Sequence, residues 1–398
     1  MTQTPRIIRT QAGIIGGGPA GLMLSHLLAQ AGIENIVVEK RDHETIRNTH
    51  RAGILEDQAV AMLTDSGVNG RVLTEGDEHV GIDLRFNGES HSLDFRDLVD
   101  ATVTLYAQNE VFIDLAAARK RDGGDVRYGA EVTEILDIET DTPKFRFTDA
   151  AGTLFEVQAD VIVGADGSRS FTRRQMPAAQ RNDFKVEYPF AWFGILTQAP
   201  KSSPELIYAN SPHGFALISQ RSETVQRMYF QCDPNENVDD WSEDRIWSEL
   251  QRRVDGPDGF QLATGPIFDK TVLGFRSFVR EPLSHGRLFL AGDAGHTVPP
   301  TGAKGLNLAF ADVKVLFEAI DSFYTTGSDR LLAGYSDLAL KRVWKAQNFS
   351  YWMTSMLHTP VGADPFMTRR ALGELETVTS SRFGQQYLAE SYTGWPHA

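Results

Sequence analysis

Apolar residues come in three arrangements along this chain, and each predicts a different kind of element. Near the N-terminus, the apolar run 12–15 leads into Gly16-Gly17-Gly18-Pro19-Ala20-Gly21. Leu22, His26, Leu27 and Ala29 then recur at helical spacing before Gly32, and "IVVE" ends at Glu39. This predicts strand, tight turn, helix and second strand, a βαβ unit. Two later apolar runs, "VIVGA" after Asp160 and "RLFLAG" ending at Asp293, have the unbroken character of parallel strands buried on both faces. Between 184 and 275 the period changes to two, in "AWFGILT", "ELIYA", "FALISQ" and "RMYFQC", without βαβ spacing, so an antiparallel sheet is expected. Residues 305–358 read mainly as helix.

Composition narrows this picture. A chain of 398 residues is too long for one ordinary core. With 41% hydrophobic and 23% charged residues it is a globular protein rather than a disordered one. A formal charge of −14 argues against nucleic acid and anionic membrane surfaces as partners, while local arginines leave room for a small anion. Cys232 is the single cysteine, so no intrachain disulfide forms, as suits a reducing cytoplasm. It sits in a strand-like run with no basic partner evident. The apolar stretch 12–33 is broken by glycines, a proline and His26, so it is read as fold rather than as membrane span or signal. No metal is expected.

The first motif is a phosphate cradle. Gly16 permits the turn, Gly18 lets backbone approach a pyrophosphate, and Gly21 lets helix and strand pack closely. Glu39 stands where a carboxylate accepts from a ribose diol, which disfavours a 2′-phosphate at this site. In "ADVIVGADGSRSFTRR", Asp166-Gly167 closes a strand, Ser168 or Ser170 is a candidate cap for a following helix, and Arg169, Arg173 and Arg174 form a solvated basic end. In "GRLFLAGDAGHTVPPTGAKGLNLAFAD", Asp293 is delivered to a strand end, and a proline-glycine loop leads to a helix beginning near Gly305-Leu306-Asn307. FAD carries a pyrophosphate for one helix N-terminus and, for the other, a ring that becomes anionic on reduction. Asn307 suits either the flavin's pyrimidine edge or an ordinary cap.

The hairpin "ELIYANSPHGFALISQRS" places Ser219 and Arg221 on one strand face, with Phe215 and Leu217 behind them, and Arg227 and Tyr229 share a face on the next strand. Ser219, Arg221 and Tyr229 together would bind a carboxylate; a surface ion pair with two satisfied hydroxyls fits the residues equally. His79, in "GDEHVGI", reads by itself as a surface residue.

The three nucleotide motifs, with "HRAGILE", "YAQNEV", "RSFV", "WKAQNFSYWMTSMLH" and "ESYTGWP", resemble the flavin-dependent aromatic hydroxylases of the glutathione-reductase-like FAD fold, from about residue 11 to residue 396. The likeness is greatest to the members that hydroxylate 4-hydroxybenzoate at its 3-position. It implies an α/β FAD-binding Rossmann domain (1–183, with 276–325) interleaved with a mostly antiparallel substrate-binding sheet (184–275), followed by a helical C-terminal segment (326–398). FAD is the implied cofactor, with NADPH or NADH and O2 as co-substrates. Ser219, Arg221 and Tyr229 match the residues for the substrate carboxylate. Tyr208 and Tyr392 match a tyrosine pair at the phenol, His79 a histidine releasing the proton to solvent, and Pro300 a carbonyl on the substrate hydroxyl. Arg51, Gln108, Arg227, Asp166 and Asn307 match cofactor positions, and Trp192 lies where the flavin ring moves outward. A homodimer through "FSYWMTSMLH" is also implied. In "KRDHETIRNTHR", Lys40, Arg41 and Arg47 would meet a 2′-phosphate that Asp42 and Glu44 repel. Thr49 and Arg169 replace an arginine and a histidine of the family. Related hydroxylases for other hydroxy- or aminobenzoates, and a reductase on the same fold, are the rival readings.

Overall fold

The computed structural model describes residues 4–49, 53–359, 362 and 364–395. The nucleotide motifs build one sheet. Its strands run, edge to edge, Ser284–His285, Leu288–Leu290, Val161–Gly164, Ala12–Ile15, Asn35–Glu39 and Asp125–Tyr128. All neighbours are parallel except the first pair. The inner strands are buried along their whole length, which explains their unbroken apolar runs. Helices Pro19–Gln30, Gln108–Arg121 and Gly305–Thr326 share the apolar core above this sheet.

The second sheet has eight strands, in the order His296–Thr297, Ile267–Glu281, Asn182–Gln198, Val225–Cys232, Ala216–Ser222, Leu206–Ala209, Gly81–Phe86 and Glu89–Asp94. It is antiparallel apart from Leu206–Ala209 on Gly81–Phe86. Two of its strands thus come from residues 81–94, and Ile267–Glu281 runs past residue 275. The period of two sorts its side chains. Phe193, Ile195, Ile207, Ile218, Met228 and Phe230 face the amphipathic helix Glu243–Val254. Trp192, Tyr208, Leu217 and Tyr229 face the C-terminal helices, against Phe349, Met353 and Tyr392. Burying each such side chain contributes about 1.5–3 kcal/mol.

The helical stretch expected over 305–358 is two helices, Gly305–Thr326 and Arg330–Leu357. Gly327 separates them in a left-handed conformation (φ 72°) that closes the first. Helices Pro365–Ser380 and Arg382–Thr393 follow. No helix among the described residues is long and apolar enough to cross a membrane.

The stretch after Val161–Gly164 departs from expectation. It forms a short 3-10 turn, Thr172–Gln175, because Asp166 takes the N–H groups of Phe171 and Thr172 (2.7 and 2.9 Å) and Pro177 follows closely. Arg173 is not solvated: it stacks on Phe278 and donates to the carbonyls of Ala294 and Ser168 (2.9 and 2.8 Å).

Candidate active site

At the first motif, Gly16 has φ +111°, and a Cβ there would strike the Ala165 carbonyl. A Cβ on Gly21 would overlap the Gly16 carbonyl, whereas one on Gly18 would meet nothing within 4 Å. That open face, at a helix N-terminus with no side-chain cap, fits a pyrophosphate. Glu39 lies buried at the strand end, accepting the N–H groups of Gly17 and Arg41 (both 2.9 Å) and the Arg41 guanidinium (3.1 Å). Beside it the Tyr128 hydroxyl is buried without a hydrogen bond, and burial, with the Glu39 charge, pushes that phenol up to about 12.

The other cofactor candidates divide between side chain and backbone. Asp166 was expected on the cofactor, yet its carboxylate accepts from Ser170 and Thr172 hydroxyls as well as two N–H groups, so its side chain shapes the turn. Arg173 then fastens that turn to the Asp293 turn through the Asp293 carbonyl (3.3 Å). Asn307 is similarly committed. Its amide donates to the Ile54 and Ala303 carbonyls (2.8 and 3.0 Å) and its oxygen accepts from the Glu56 N–H (2.9 Å), stapling strand Ile54–Glu56 to the helix. No side chain caps the first turn at Gly305, Leu306 and Asn307, which leaves backbone N–H donors there. Gln108 opens helix Gln108–Arg121 half-buried. Arg51 lies outside the described residues.

Strand register assembles the substrate candidates. Tyr208 pairs with Leu217, Leu217 with Tyr229, and Tyr229 with Gly194, so one row crosses four strands on the face beneath the C-terminal helices. The next row on that face pairs Ser219 with Arg227. Gly194 is required here: a Cβ would sit 2.7 Å from the Tyr229 ring. Ser219 donates to the Arg227 carbonyl (2.6 Å), Arg221 donates to Asn109 Oδ1 (2.7 Å), and Arg227 Nη1 is buried without a partner. Burial, helped by the charge of Arg227, lowers the Arg221 pKa below its usual value. Two close guanidinium groups with an orphaned N–H suit an anion. A cavity of about 320 Å³ bounded by Tyr106, Ala107, Glu110 and Leu196 opens beside Arg221. A larger one, about 640 Å³, lies between Asp57 and Phe383, Tyr387 and Glu390, away from these residues.

At the other end Tyr208 and Tyr392 are buried and share a hydrogen bond of 2.7 Å. Burial raises both phenols above their usual value. Two hydroxyls so paired can pass a proton when each oxygen gives one while accepting another. Pro300 begins a 3-10 turn, and its carbonyl accepts from the Ala303 N–H (2.9 Å) with one lone pair over. His79 corrects its surface reading. It is 1% exposed, with Nδ1 2.6 Å from Glu205 and Nε2 2.9 Å from the Gln220 amide.

Several partners were not visible in the sequence. Trp192 donates its indole N–H to His358 (2.6 Å), whose other nitrogen donates to the Thr354 carbonyl. Burial pulls His358 down to about 3, so it stays neutral. Lys304, the residue immediately before helix Gly305–Thr326, is buried between Glu56 (2.7 Å) and the Tyr392 carbonyl (2.7 Å). The Cys232 thiol is pushed up to about 12, chiefly by burial, which disfavours the reactive thiolate.

Comparison with known proteins agrees with this arrangement. The family model described as FAD binding domain matches residues 9–350. The p-hydroxybenzoate hydroxylase of Acinetobacter baylyi is 42% identical over 391 residues, covering 98% of this chain and 96% of that one. A 3-(3-hydroxy-phenyl)propionate/3-hydroxycinnamic acid hydroxylase of Burkholderia vietnamiensis is 27% identical over 79% of this chain, which spans 50% of that longer protein. Among solved structures, p-nitrophenol 4-monooxygenase from Pseudomonas putida DLL-E4 superposes with a TM-score of 0.82 at 19% identity, covering 98% of this chain and 99% of that one. The fit of the glycine cradle, the uncapped second helix and the near full-length likeness have one reading: the chain belongs to the FAD-dependent aromatic hydroxylases, which are flavoprotein monooxygenases.

Proposed function

We propose that this enzyme hydroxylates 4-hydroxybenzoate at its 3-position, giving 3,4-dihydroxybenzoate, with NAD(P)H and O2 as co-substrates. The observation that carries this reading is the two-ended site on one sheet face. The Tyr208–Tyr392 hydroxyl pair stands at one end, Tyr229 lies in the same row as Tyr208 two strands across, and Ser219 lies in the next row, toward Arg221. Rows two residues apart are separated by about 6.7 Å, the scale of a benzene ring with para substituents. The relative of Acinetobacter baylyi carries the matching name.

In this reading Arg221 forks onto the carboxylate while Ser219 and Tyr229 complete its lone pairs. Tyr208 accepts the phenol proton as its own passes to Tyr392, which gives one up toward His79 and solvent, leaving a phenolate whose ring is electron-rich beside the oxygen. The Pro300 carbonyl aligns that hydroxyl with its spare lone pair. FAD supplies the oxygen-activating chemistry once reduced. Gly16, Gly18, Gly21, Glu39, Arg51, Gln108, Arg227, Asp293, Gly305, Leu306 and Asn307 hold it, Asn307 by its backbone. The aromatic wall of Trp192, Phe215 and His358 keeps the site dry.

Arg169, exposed beside the Asp166 turn, supports NADPH as reductant. Exposed Trp344 and Tyr351 on helix Arg330–Leu357 support a homodimer, and we assign the enzyme to the cytoplasm. The test is purification with bound FAD, then product analysis with 4-hydroxybenzoate, 3-hydroxybenzoate and 4-aminobenzoate, each with NADH and NADPH. Coupled 3,4-dihydroxybenzoate formation supports the reading. NAD(P)H oxidation indifferent to 4-hydroxybenzoate, or faster coupled turnover of an analogue, overturns it.

A further inference from the structure

We propose that Asn109 is the residue that positions Arg221 for the substrate carboxylate, acting as a neutral spacer that keeps the Glu110 carboxylate from capturing the guanidinium. The inference rests on the hydroxylase reading above and deepens it at the carboxylate end.

Arg221 needs a hold from outside its own strand. The pairing of strands Ala216–Ser222 and Val225–Cys232 shifts between Gln220 and Ser222, so the ladder does not fix the direction in which Arg221 leaves it. The hold comes from the other half of the molecule. Asn109 stands in the first turn of helix Gln108–Arg121, which shares the core above the parallel sheet, and it is 7% exposed. Its Oδ1 accepts from Arg221 Nη2 at 2.7 Å, and its Nδ2 donates to Glu110 Oε1 at 3.0 Å. Both neighbours permit only this orientation of the amide, because a guanidinium only donates and an ionised carboxylate only accepts.

The amide thus lies between a cation and an anion. Glu110 is near enough for its charge to raise the Arg221 pKa, against the larger lowering by burial and by Arg227. Two groups keep its carboxylate from closing on Arg221. Asn109 takes one oxygen, and Arg71 takes the other at 2.9 Å. Arg71 is itself anchored by Glu75 (2.8 Å) and by Asp114, which also accepts from the Tyr106 hydroxyl (2.7 Å). Tyr106, Glu110 and Arg221 line one cavity of about 320 Å³, so the competing carboxylate stands at the same space as the guanidinium it would capture.

A neutral acceptor is what this position requires. An amide aims the guanidinium through one N–H and leaves its positive charge uncancelled at that contact. The fork is then set before the ligand arrives, so less rotamer freedom is lost on binding. A carboxylate at 109 would hold the fork as well, but as an ion pair in a half-buried site that the substrate must break or share. An apolar side chain there would leave Arg221 unaimed and Glu110 Oε1 open to it.

The experiment titrates the flavin absorbance with 4-hydroxybenzoate and with its methyl ester in wild type, Asn109→Asp, Asn109→Leu, Glu110→Gln and the Asn109→Leu/Glu110→Gln double variant, with FAD content checked in each. Asn109→Asp is expected to raise Kd for the acid about 10-fold or more, and for the ester less than about threefold. Asn109→Leu should also weaken the acid about 10-fold, whereas Glu110→Gln alone and the double variant should lie within about threefold of wild type, because no carboxylate is left to take Arg221. A loss of packing alone would weaken acid and ester together and gain nothing from Glu110→Gln. Acid affinity of Asn109→Asp within about twofold of wild type, equal losses for acid and ester, or a double variant no better than Asn109→Leu, overturns the proposal. Should Asn109→Asp fail to hold FAD, the comparison of Asn109→Leu with the double variant decides. A wild type that binds acid and ester alike overturns the carboxylate reading of the site and this inference with it. A wild type that strongly prefers the acid beside an unaffected Asn109→Asp overturns this inference alone.

Discussion

Replacing Arg221 with methionine tests the carboxylate end most directly. Methionine keeps much of the aliphatic bulk and removes the fork. Arg221 is half-buried, so its hydrogen bonds to a charged ligand are screened little and are worth about 1.5–3 kcal/mol. Arg227 remains beside it with an unpartnered Nη1 and continues to attract the anion, so the loss should not exceed that range. At about 1.4 kcal/mol per decade, Kd for 4-hydroxybenzoate should rise roughly 10- to 150-fold. Removal also strands Asn109 Oδ1, a buried acceptor, at a further cost in stability of about 1–3 kcal/mol, so folding must be checked by FAD content and denaturant midpoint. The assay is titration of the flavin absorbance with 4-hydroxybenzoate and with its methyl ester. The ester lacks the charge that Arg221 holds, so the variant and wild type should bind it within about threefold of each other, well below one interaction's worth. An ester penalty as large as the acid penalty would refute the reasoning, because Arg221 would then be shaping the pocket rather than holding a carboxylate.

Three further outcomes follow from the geometry. Tyr208→Phe should leave flavin reduction by NAD(P)H nearly intact yet lower the ratio of hydroxylated product to NAD(P)H oxidised; equal loss of both rates would contradict the proton role. Gly194→Ala should strain the Tyr229 ring, destabilising the protein by about 1–3 kcal/mol in denaturant unfolding and weakening substrate binding; an unchanged Kd would show that Tyr229 has slack. His296 is pulled down by burial, but the buried Asp312 carboxylate at 2.6 Å overcomes this and its pKa is raised above 6.5. Its contribution to stability is therefore complete below about pH 6.5 and fades as pH rises through the higher folded value. The stability gap between wild type and His296→Gln should narrow from about pH 6 to pH 9, and a gap that widens would reverse the sign.

Local rules made the nucleotide half legible. The glycine cradle, Glu39 and the buried strands need only short-range sterics and a run of apolar residues, so position along the chain conveys them. The period of two likewise led to the expectation that Ser219 and Arg221 share a face, but the pairing shifts between Gln220 and Ser222, so Arg221 stands outside the regular ladder. What alternation does not reveal is which strand lies beside which. The crossing of Tyr208, Leu217, Tyr229 and Gly194 is a matter of register, and strand Gly81–Phe86, far away in sequence, completes the sheet next to Tyr208. Burial was equally hidden. His79 lies in a polar stretch and reads as exposed until Glu205 and Gln220, more than a hundred residues on, close over it. Asp166 and Asn307 read as ligand contacts because their residue types suit one. Whether a carboxylate or amide has free lone pairs depends on donors that folding brings, and here nearby N–H groups and strand Ile54–Glu56 take them. Residue types and spacing thus announce a dinucleotide-binding fold, and the resemblance carried by the motifs extends this to the flavin hydroxylases. Long-range contacts, which set burial and consume hydrogen bonds, decide which of those residues remain available for chemistry.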